Sequence, residues 1–392
     1  MRVVLAPDSF KGSADARAVA RAMADGVREA GGEHDVFEIP MADGGEGTMD
    51  VIIDSWGVAP IFVDAVDAVG RPCRAAYALD GSRSRAVVEI APASGLPMVS
   101  DVPLRPLTAS TVGTGILLRA ALDAGATTIY FGLGGSATSD AGIGCLAALG
   151  GRLLDAEGRE LAPVTENLPR LMDFDLSGLH PRAAETEWIL TVDVTNPLTG
   201  HEGAAAVFGP QKGASPEQVA QLETGLKALG HALYRQSGRN VAELPGTGAA
   251  GGVAALFLAL FTATVRSGSA LVAELVGLSK ALTGADLVIT GEGHCDNQSL
   301  GRKVVSRVAE MARSAGVARV VVIAGQVDCS LVQLQAAGIV AAFSIANGPA
   351  TPEQLVTNTL PRVRAVTGQV VSVSSSQKHR VAPFHPQKIG IS

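Results

Sequence analysis

Aromatic side chains are scarce in this chain of 392 residues, in which Phe, Trp and Tyr together make up 4%. This scarcity argues against the aromatic stacking platforms on which proteins hold single-stranded nucleic acid. Excess basic charge, the usual electrostatic sign of DNA or RNA binding, is also lacking, because the formal net charge is −7. We therefore expect no nucleic-acid partner, although a few basic side chains can still bind a small anion.

Cysteine is also rare, and no CxxC pair occurs. This argues against a zinc site or a disulfide framework and favours free thiols in a reducing compartment. Long apolar runs are missing as well, because the longest, at 251–265, is short for a membrane span and fits a buried helix. The N-terminus lacks the charged-then-apolar pattern of a signal peptide. These absences predict a cytoplasmic protein with no membrane partner. The four cysteines are Cys73, Cys145, Cys295 and Cys329.

Short runs rich in Val and Ile alternate with helical patterns near both ends of the chain. This alternation indicates a parallel sheet with helices on both faces. Two of the predicted strands precede a long middle region and three follow it, so we expect one domain to be built from both chain ends. The predicted strands are 2–7, 34–41, 285–293, 318–325 and 338–347, and the helices are 14–30, 46–56, 270–282 and 303–315.

The middle region shows a different pattern, with three extended runs in residues 59–90 that are separated by short turns. Consecutive strands with short turns are typical of an antiparallel meander, so we predict a mixed sheet here. Further strands are predicted at 127–133 and 188–194, and helices at 112–124, 141–150, 216–237 and 249–261. The fold class is therefore α/β, with a parallel-sheet domain at 1–57 and 270–370, an inserted mixed-sheet domain at 58–269 and a disordered tail at 371–392.

The segment GLGGSATSDAG, at 132–142, follows a predicted strand and precedes a predicted helix. A strand, a glycine turn and a helix bring backbone N–H groups and a helix N-terminus together, and both attract phosphate. Ser136, Thr138 and Ser139 add hydroxyl donors. The segment therefore predicts a protein that handles a phosphorylated compound.

Polar side chains follow several predicted strands, at the strand ends where parallel sheets bind ligands. Carboxylates accompanied by lysine suit Mg²⁺ and polyphosphate, whose charge must be neutralised and positioned. Structural roles stay open, because Asp8 and Asp43 could cap the helices that follow them and Lys303 could be a solvated helix start. The candidates at strand ends are Asp8, Ser9 and Lys11, then Asp43 and Glu46, then Glu292, Asp296 and Gln298, and in the middle region Asp193.

The glycine segment also satisfies G-x-G-x-x-A at 132–137, and Asp155 lies about 20 residues on, where dinucleotide-binding folds place a ribose-binding acid. An NAD(P)-dependent dehydrogenase is therefore an open alternative. The hydroxyl-rich loop and its place in the mixed-sheet region count against it. A P-loop kinase is excluded, because no G-x-x-x-x-G-K-[ST] motif occurs.

Taken together, a series of segments in fixed order resembles the type I glycerate kinase family, over roughly residues 1–350. Such an ordered series is far more specific than one glycine loop. The segments are APDSFKGS at 6–13, MADGGEGT at 41–48, ASGL at 93–96, GLGGSATSDAG at 132–142, DVTNPLTG at 193–200, AVFGPQKGAS at 206–215, PGTGAAGG at 245–252, ADLVITGEG at 285–293, DNQS at 296–299 and FSIANGP at 343–349.

The resemblance implies an enzyme that transfers the γ-phosphoryl group of ATP to D-glycerate, at the 2-hydroxyl rather than the 3-hydroxyl, and releases ADP. It implies ATP and Mg²⁺ as cofactors, and a flavodoxin- or Rossmann-like domain with an inserted mixed α/β domain. It leaves the oligomeric state open. By motif position, the resemblance implies that the site residues face an interdomain cleft. The implied catalytic residues are Asp193, Lys11, Asp296 and Lys303. The implied substrate- or phosphate-binding residues are Asp8, Ser9, Gly134, Gly135, Ser136, Ala137, Thr138, Glu292 and Gln298, and the implied magnesium-binding residues are Asp43 and Glu46.

The chain also departs from the family pattern. A basic residue is usual where His294 stands, and a glycine is usual where Arg302 stands, so that turn is expected to differ. The tail stands where the family has a C-terminal helix. These departures keep open a third alternative, a catalytically weak nucleotide-binding homologue. The remaining departures are Val305 for a usual Pro, Val112 for a usual Tyr and Ile116 for a usual Glu.

Overall fold

The computed structural model of the chain describes residues 1–297, 299–301, 303–346, 348–349 and 351–376. These residues form two compact units. Unit 1 comprises Met1–Pro40, Gly277–Gly301 and the chain from Val305 onward, and unit 2 comprises Met41–Val276 with Lys303 and Val304. The unit borders differ from the domain borders that we predicted at 57 and 270, so the predicted helix 46–56 lies in unit 2.

The described strands are β1 (Arg2–Pro7), β2 (Asp35–Glu38), β3 (Ile61–Val66), β4 (Pro72–Leu79), β5 (Arg85–Glu89), β6 (Thr128–Gly132), β7 (Arg152–Leu154), β8 (Glu160–Leu161), β9 (Asp173–Asp175), β10 (Glu187–Thr191), β11 (Ala263–Arg266), β12 (Leu287–Cys295), β13 (Val320–Val327) and β14 (Ala341–Ser344).

The described α-helices are α1 (Ala16–Glu29), α2 (Thr48–Trp56), α3 (Ala91–Ser94), α4 (Val112–Asp123), α5 (Ile143–Ala148), α6 (Ala204–Phe208), α7 (Pro216–Ser237), α8 (Val253–Leu260), α9 (Gly268–Leu275), α10 (Leu278–Leu282), α11 (Val304–Ser314), α12 (Leu331–Ala336), α13 (Pro352–Thr357) and α14 (Thr359–Ser376). Short 3₁₀ helices span Leu96–Val99, Thr165–Arg170, Pro210–Lys212 and Ala249–Gly251.

Unit 1 is built on a parallel five-stranded sheet in the order β14-β13-β12-β1-β2. Strand β1 pairs with β12 on one side and with β2 on the other, with Val4 opposite Val288 and Phe37. Numbered within this unit, the strand order is 2-1-3-4-5, which is the flavodoxin-like order. The prediction that strands from both chain ends share one parallel sheet is confirmed.

Helix α1 of unit 1 begins at the N-cap Asp15, whose Oδ1 accepts a hydrogen bond from Ala18 N at 2.7 Å. Its apolar face, with Val19, Met23 and Val27, is buried. Helix α14 packs closely on α1, because Gly26 has no side chain where a Cβ would lie 2.3 Å from Arg364 O. This close approach allows the two helices to bury a shared apolar surface.

The prediction that the chain is disordered from residue 371 is wrong for residues 371–376. These residues are the last turns of α14, in which Val371 is fully buried. The serine hydroxyls also stay within the helix, because Ser374 Oγ donates to Val370 O at 2.8 Å and Ser375 Oγ donates to Val371 O at 2.9 Å. The rest of the predicted tail, 377–392, lies outside the described residues.

Unit 2 holds a six-stranded mixed sheet in the order β11-β10-β6-β5-β4-β3 and a smaller sheet in the order β8-β7-β9. The β3–β4–β5 portion is antiparallel, as the short turns predicted. Strands β5, β6, β10 and β11 run parallel to one another. The α/β fold class with a parallel and a mixed sheet is therefore confirmed. The small sheet and β11 were not predicted from the sequence.

The core of unit 2 includes aromatic side chains from one face of its large sheet and from helix α8. Phe131 and Trp188 come from neighbouring strands, and Phe257 on α8 contacts both, at ring-centroid distances of 5.3 and 5.0 Å. The apolar run 251–265 thus supplies a buried helix, as expected. Among the described helices, none is both long enough and apolar enough to cross a membrane.

Candidate functional site

The first group of predicted site residues lies in unit 1, at the carboxyl ends of β1 and β12. The strand order reverses between these two strands, and such a switch point is where open α/β sheets bind ligands. Asp8 directly follows β1, is 7% exposed, and donates its backbone N–H to Gly291 O at 2.8 Å. Glu292 belongs to β12 and is 8% exposed. The fold therefore brings these two carboxylates to one edge of the sheet.

Asp8 accepts a hydrogen bond within the loop that follows β1, and it does not cap helix α1. Asp8 Oδ1 accepts a hydrogen bond from Ser9 N at 2.6 Å, whereas Asp15 caps α1. The alternative that Asp8 caps the following helix is therefore wrong. Lys11 in this loop is exposed, and its backbone N would lie 3.4 Å from a Cβ on Gly293. This is an ordinary van der Waals distance, so Gly293 packs directly against the loop that carries Lys11.

The segment after β12 forms a tight turn around Asp296. Asp296 Oδ1 accepts hydrogen bonds from Ser299 N at 3.0 Å and from Ser299 Oγ at 3.2 Å. His294 Nε2 lies 2.7 Å from Asp328 Oδ2. Hydrogen bonds from Gln326, together with this His294 contact, lower the pKa of the Asp328 carboxyl. His294 thus has a structural partner at the rim of this group. Gln298 and Arg302 lie outside the described residues, and Lys303 directly precedes α11.

The second group lies in unit 2, where the segment ADGGEGT at 42–48 passes over the carboxyl ends of the parallel strands. Thr191 Oγ1, at the end of β10, donates to Gly44 O at 3.4 Å. A Cβ on Gly44 would lie 2.8 Å from Gly268 Cα, and a Cβ on Gly134 would lie 2.6 Å from Gly45 Cα. Glycine is therefore required at position 44 for its close approach to Gly268. It is also required at position 134 for contact between the glycine loop and the segment 42–48.

Three predicted carboxylates of unit 2 lie around these loops. Asp43 Oδ1 accepts from Gly45 N at 3.0 Å, while the N-cap of α2 is Gly47, so Asp43 does not cap that helix. Glu46 is exposed. Asp193 is exposed and follows β10, and its Oδ1 accepts from Gly268 N at 3.0 Å. Among the described residues, no group of three or more His, Cys, Asp or Glu side chains is arranged to hold a metal by itself.

A fourth carboxylate, Glu89, was not recognised in the sequence analysis. It ends β5, is 6% exposed, and its Oε1 accepts from Met49 N in the first turn of α2 at 2.8 Å. Burial raises the pKa of Glu89 to about 7, and the nearby acidic side chains Asp50 and Glu46 contribute. The signal that could have identified Glu89 is its place as the one charged residue within the apolar run AVVEIA at 86–91.

The glycine loop itself is largely buried. Ser136 is 6% exposed, Ala137 3% and Thr138 fully buried, whereas Gly134 and Gly135 reach the surface. Two backbone hydrogen bonds fix the loop, from Ala137 N to Ser94 O at 2.8 Å and from Leu96 N to Gly135 O at 3.0 Å. Gly135 has φ +75°, a value that favours glycine. The accessible part of the loop is therefore backbone and not hydroxyl.

Lys212 is the second residue that the sequence analysis missed, although it lies in the quoted segment AVFGPQKGAS. It is 2% exposed, and its Nζ donates to Ser136 Oγ at 3.0 Å and to Thr138 O at 2.5 Å. Burial lowers the pKa of the Lys212 ammonium to about 8, against the opposing effect of Asp140. The ammonium thus supports the glycine loop from inside the unit.

The helix after the glycine loop does not offer a free N-terminus. Asp140 is fully buried and accepts from Gly142 N at 3.1 Å and from Gly144 N at 3.3 Å, at the start of α5. The interpretation that this helix N-terminus attracts an external phosphate is therefore wrong, since a carboxylate of the chain already occupies it. Burial raises the pKa of Asp140, against hydrogen bonds from Thr111, Gly142 and Gly144 that lower it.

The dehydrogenase alternative fails at Asp155. This carboxylate is 6% exposed and accepts hydrogen bonds from Glu157 N at 3.1 Å and Arg159 N at 2.9 Å, in the turn between β7 and β8. It also pairs with the Arg170 guanidinium at 3.1 Å. Asp155 therefore stabilises the small sheet of unit 2 and does not present a ribose-binding acid.

Comparison with known proteins identifies the family. The family model described as "Glycerate kinase family" matches residues 3–375. The chain belongs to the glycerate kinase family. Glycerate 2-kinase of Escherichia coli K12 is 38% identical to it over 345 residues, which cover 88% of this chain and 90% of the relative. Glycerate kinase of Bacillus subtilis 168 is 40% identical over 348 residues, which cover 89% and 91%.

A solved structure agrees with this assignment. The crystal structure of a Salmonella typhimurium LT2 protein assigned as glycerate kinase 2 superposes with a TM-score of 0.86 at 40% identity, covering 96% of this chain and 99% of that one. The resemblance stated from the sequence is therefore confirmed, and the chain is an enzyme that transfers phosphate to an alcohol group. Membership of a kinase family implies that ATP is the phosphoryl donor.

Proposed function

We propose that the chain phosphorylates D-glycerate at its 2-hydroxyl, with ATP as donor and ADP as co-product. The name of the E. coli relative, glycerate 2-kinase, supports the choice of the 2-hydroxyl. The observation that carries the proposal in this chain is the set of carboxylates and glycine loops at the carboxyl ends of the parallel strands of unit 2. Such an arrangement suits phosphoryl transfer, which depends on positioning and charge neutralisation more than on covalent chemistry.

Within this proposal, the lysines neutralise phosphate charge and an aspartate handles the proton. Lys11 and Lys303 steady the phosphoryl oxygens. Asp193 or Asp296 accepts the proton of the glycerate hydroxyl, and Asp8, Ser9, Glu292 and Gln298 contact substrate or nucleotide. Asp193 is exposed and its Oδ1 is oriented by Gly268 N, which favours it as the proton acceptor.

Magnesium fits the donor set of unit 2. Mg²⁺ is usually bound through one or two carboxylates together with substrate phosphates and water, and not by a cage of protein side chains. The accessible carboxylates Asp43 and Glu46 match that pattern, as does the lack of a larger cluster among the described residues. When bound, the ion would neutralise phosphate charge.

The test is ADP release by the purified protein with ATP, Mg²⁺ and either D-glycerate or L-glycerate. The proposal predicts release that requires D-glycerate and Mg²⁺. Release that is equal without glycerate, or binding of ATP without turnover, would contradict it and would favour the catalytically weak homologue that the sequence departures left open. The cytoplasmic location stays a prediction, which fractionation of the source cells tests.

A further inference from the structure

Lys212 is an unusual side chain for the interior of a protein. A lysine ammonium is costly to bury unless it is hydrogen-bonded, and Lys212 is 2% exposed. Both of its described hydrogen bonds go to the glycine loop, to Ser136 Oγ at 3.0 Å and to Thr138 O at 2.5 Å. The described hydrogen bonds that compensate the burial of the Lys212 ammonium are thus both made with the glycine loop. Lys212 ends the 3₁₀ helix Pro210–Lys212, and the next residue, Gly213, has φ +86°.

The Lys212 ammonium places a positive charge close to Gly134 and Gly135, the exposed part of the glycine loop. Both hydrogen-bond acceptors of Lys212 are neutral, and Asp140, the carboxylate that acts on it, is itself held by Thr111 N at 2.7 Å and by the first turn of α5. The pKa of about 8 keeps the ammonium largely protonated at neutral pH. Gly134 and Gly135 lie directly before Ser136 and reach the surface.

We propose that Lys212 is a positioning residue for an anion subsite at Gly134–Gly135, where it fixes the loop backbone and adds a buried positive charge beneath it. The occupant is a carboxylate or phosphate oxygen of a substrate, and this assignment rests on the proposed function. A charge fixed in a low-dielectric interior acts more strongly on a bound anion than the same charge in water. The Nζ of Lys212 does not need to touch the substrate for this effect.

The experiment compares Lys212→Met with Lys227→Met, since Met retains the length of the side chain without its charge. Lys227 lies on α7 of the same unit, 59% exposed, and pairs with Glu223 at the surface, so its replacement controls for loss of a lysine. We expect Lys212→Met to raise KM about tenfold for the substrate whose anion occupies the loop, with a smaller change in kcat. Lys227→Met is expected to leave both constants unchanged.

The KM values for D-glycerate and for ATP identify which of the two substrates supplies the anion. A raised KM for D-glycerate with an unchanged KM for ATP assigns the subsite to the glycerate carboxylate, and the reverse assigns it to a phosphate of ATP. Thermal stabilisation of each variant by D-glycerate alone and by ADP alone gives the same information without turnover. Lys212→Met with both KM values and both thermal shifts unchanged would overturn the proposal.

A second variant keeps the test decisive if Lys212→Met does not fold. Ser136→Ala removes one acceptor of Lys212 and leaves the ammonium in place, so the same KM should rise by a smaller factor. A folded Ser136→Ala protein with wild-type KM values for both substrates would also overturn the proposal. Failure of the proposed function is recognised separately, because wild-type protein would then release no ADP with D-glycerate.

Discussion

Glu89→Gln offers a quantitative test of how unit 2 is built. Glu89 ends β5 and accepts a hydrogen bond from Met49 N at the start of α2. A glutamine amide oxygen can accept the same hydrogen bond, but it carries no charge. Because Glu89 is only 6% exposed, its charged form is penalised by burial, which raises the pKa of the carboxyl from its ordinary value of 4.5 to about 7.

The direction of the pH effect follows from this shift. Between about pH 4.5 and about pH 7 the folded protein binds a proton at Glu89 that the unfolded chain has released, so the free energy of unfolding falls as pH rises. The full shift in the pKa of Glu89 corresponds to a decrease of about 3 kcal/mol in the free energy of unfolding. Glu89→Gln removes this loss, so the variant should match wild type at acidic pH and exceed its stability by up to about 3 kcal/mol above pH 7.

The assay is urea unfolding of wild type and Glu89→Gln at a series of pH values from about 5 to about 8. Glu185→Gln serves as the control, because Glu185 is an exposed carboxylate of the same unit. A stability difference between wild type and Glu89→Gln that stays constant across this range would show that folding does not raise the pKa of Glu89. So would a variant that is less stable than wild type at alkaline pH, since the hydrogen bonds to the charged form would then outweigh the burial penalty.

Three further predictions concern the proposed active-site residues and the C-terminal helix. Lys11→Ala should leave the circular dichroism spectrum unchanged and lower kcat by about tenfold or more, and wild-type turnover would show that Lys11 is only a surface cation. Asp193→Asn should lower kcat, because the amide cannot accept the proton of the glycerate hydroxyl, and wild-type turnover would remove Asp193 from that role. Truncation after Ser376 should leave thermal stability unchanged, whereas truncation after Gly368 deletes the buried Val370 and Val371 and should cost about 2–4 kcal/mol in urea unfolding. Equal unfolding midpoints for the two truncations would contradict the packing of α14.

Strands β1, β12 and β13 of unit 1 were predictable because each contains a short, continuous run of Val, Leu or Ile, the pattern of a strand buried on both faces. Their alternation with helices predicts the parallel sheet, and the polar residues at their ends follow from the same pattern. The last turns of α14 were not predictable in this way. The serines after Val371 give no apolar period, and the helix is stabilised by its contact with α1 and by hydroxyl bonds to its own backbone.

The roles of Glu89 and Lys212 also depend on contacts between residues far apart in the chain. Glu89 meets Met49 across 40 residues, and Lys212 meets Ser136 across 76 residues. Sequence periodicity reports local structure, so it does not distinguish a buried lysine in a short turn from an exposed one. Likewise, the pattern of the glycine loop does not reveal that Asp140 occupies the helix N-terminus that follows.

Proton-coupled phosphorus NMR of the product distinguishes phosphorylation at the 2-hydroxyl of D-glycerate, which we propose, from phosphorylation at the 3-hydroxyl. Phosphate on the 2-hydroxyl is coupled to the single proton on that carbon and gives a doublet, whereas phosphate on the 3-hydroxyl is coupled to two protons and gives a triplet. We expect wild-type enzyme with ATP, Mg²⁺ and D-glycerate to produce the doublet together with ADP. A triplet would contradict the assigned position, and no new phosphorus signal would contradict the proposed function itself.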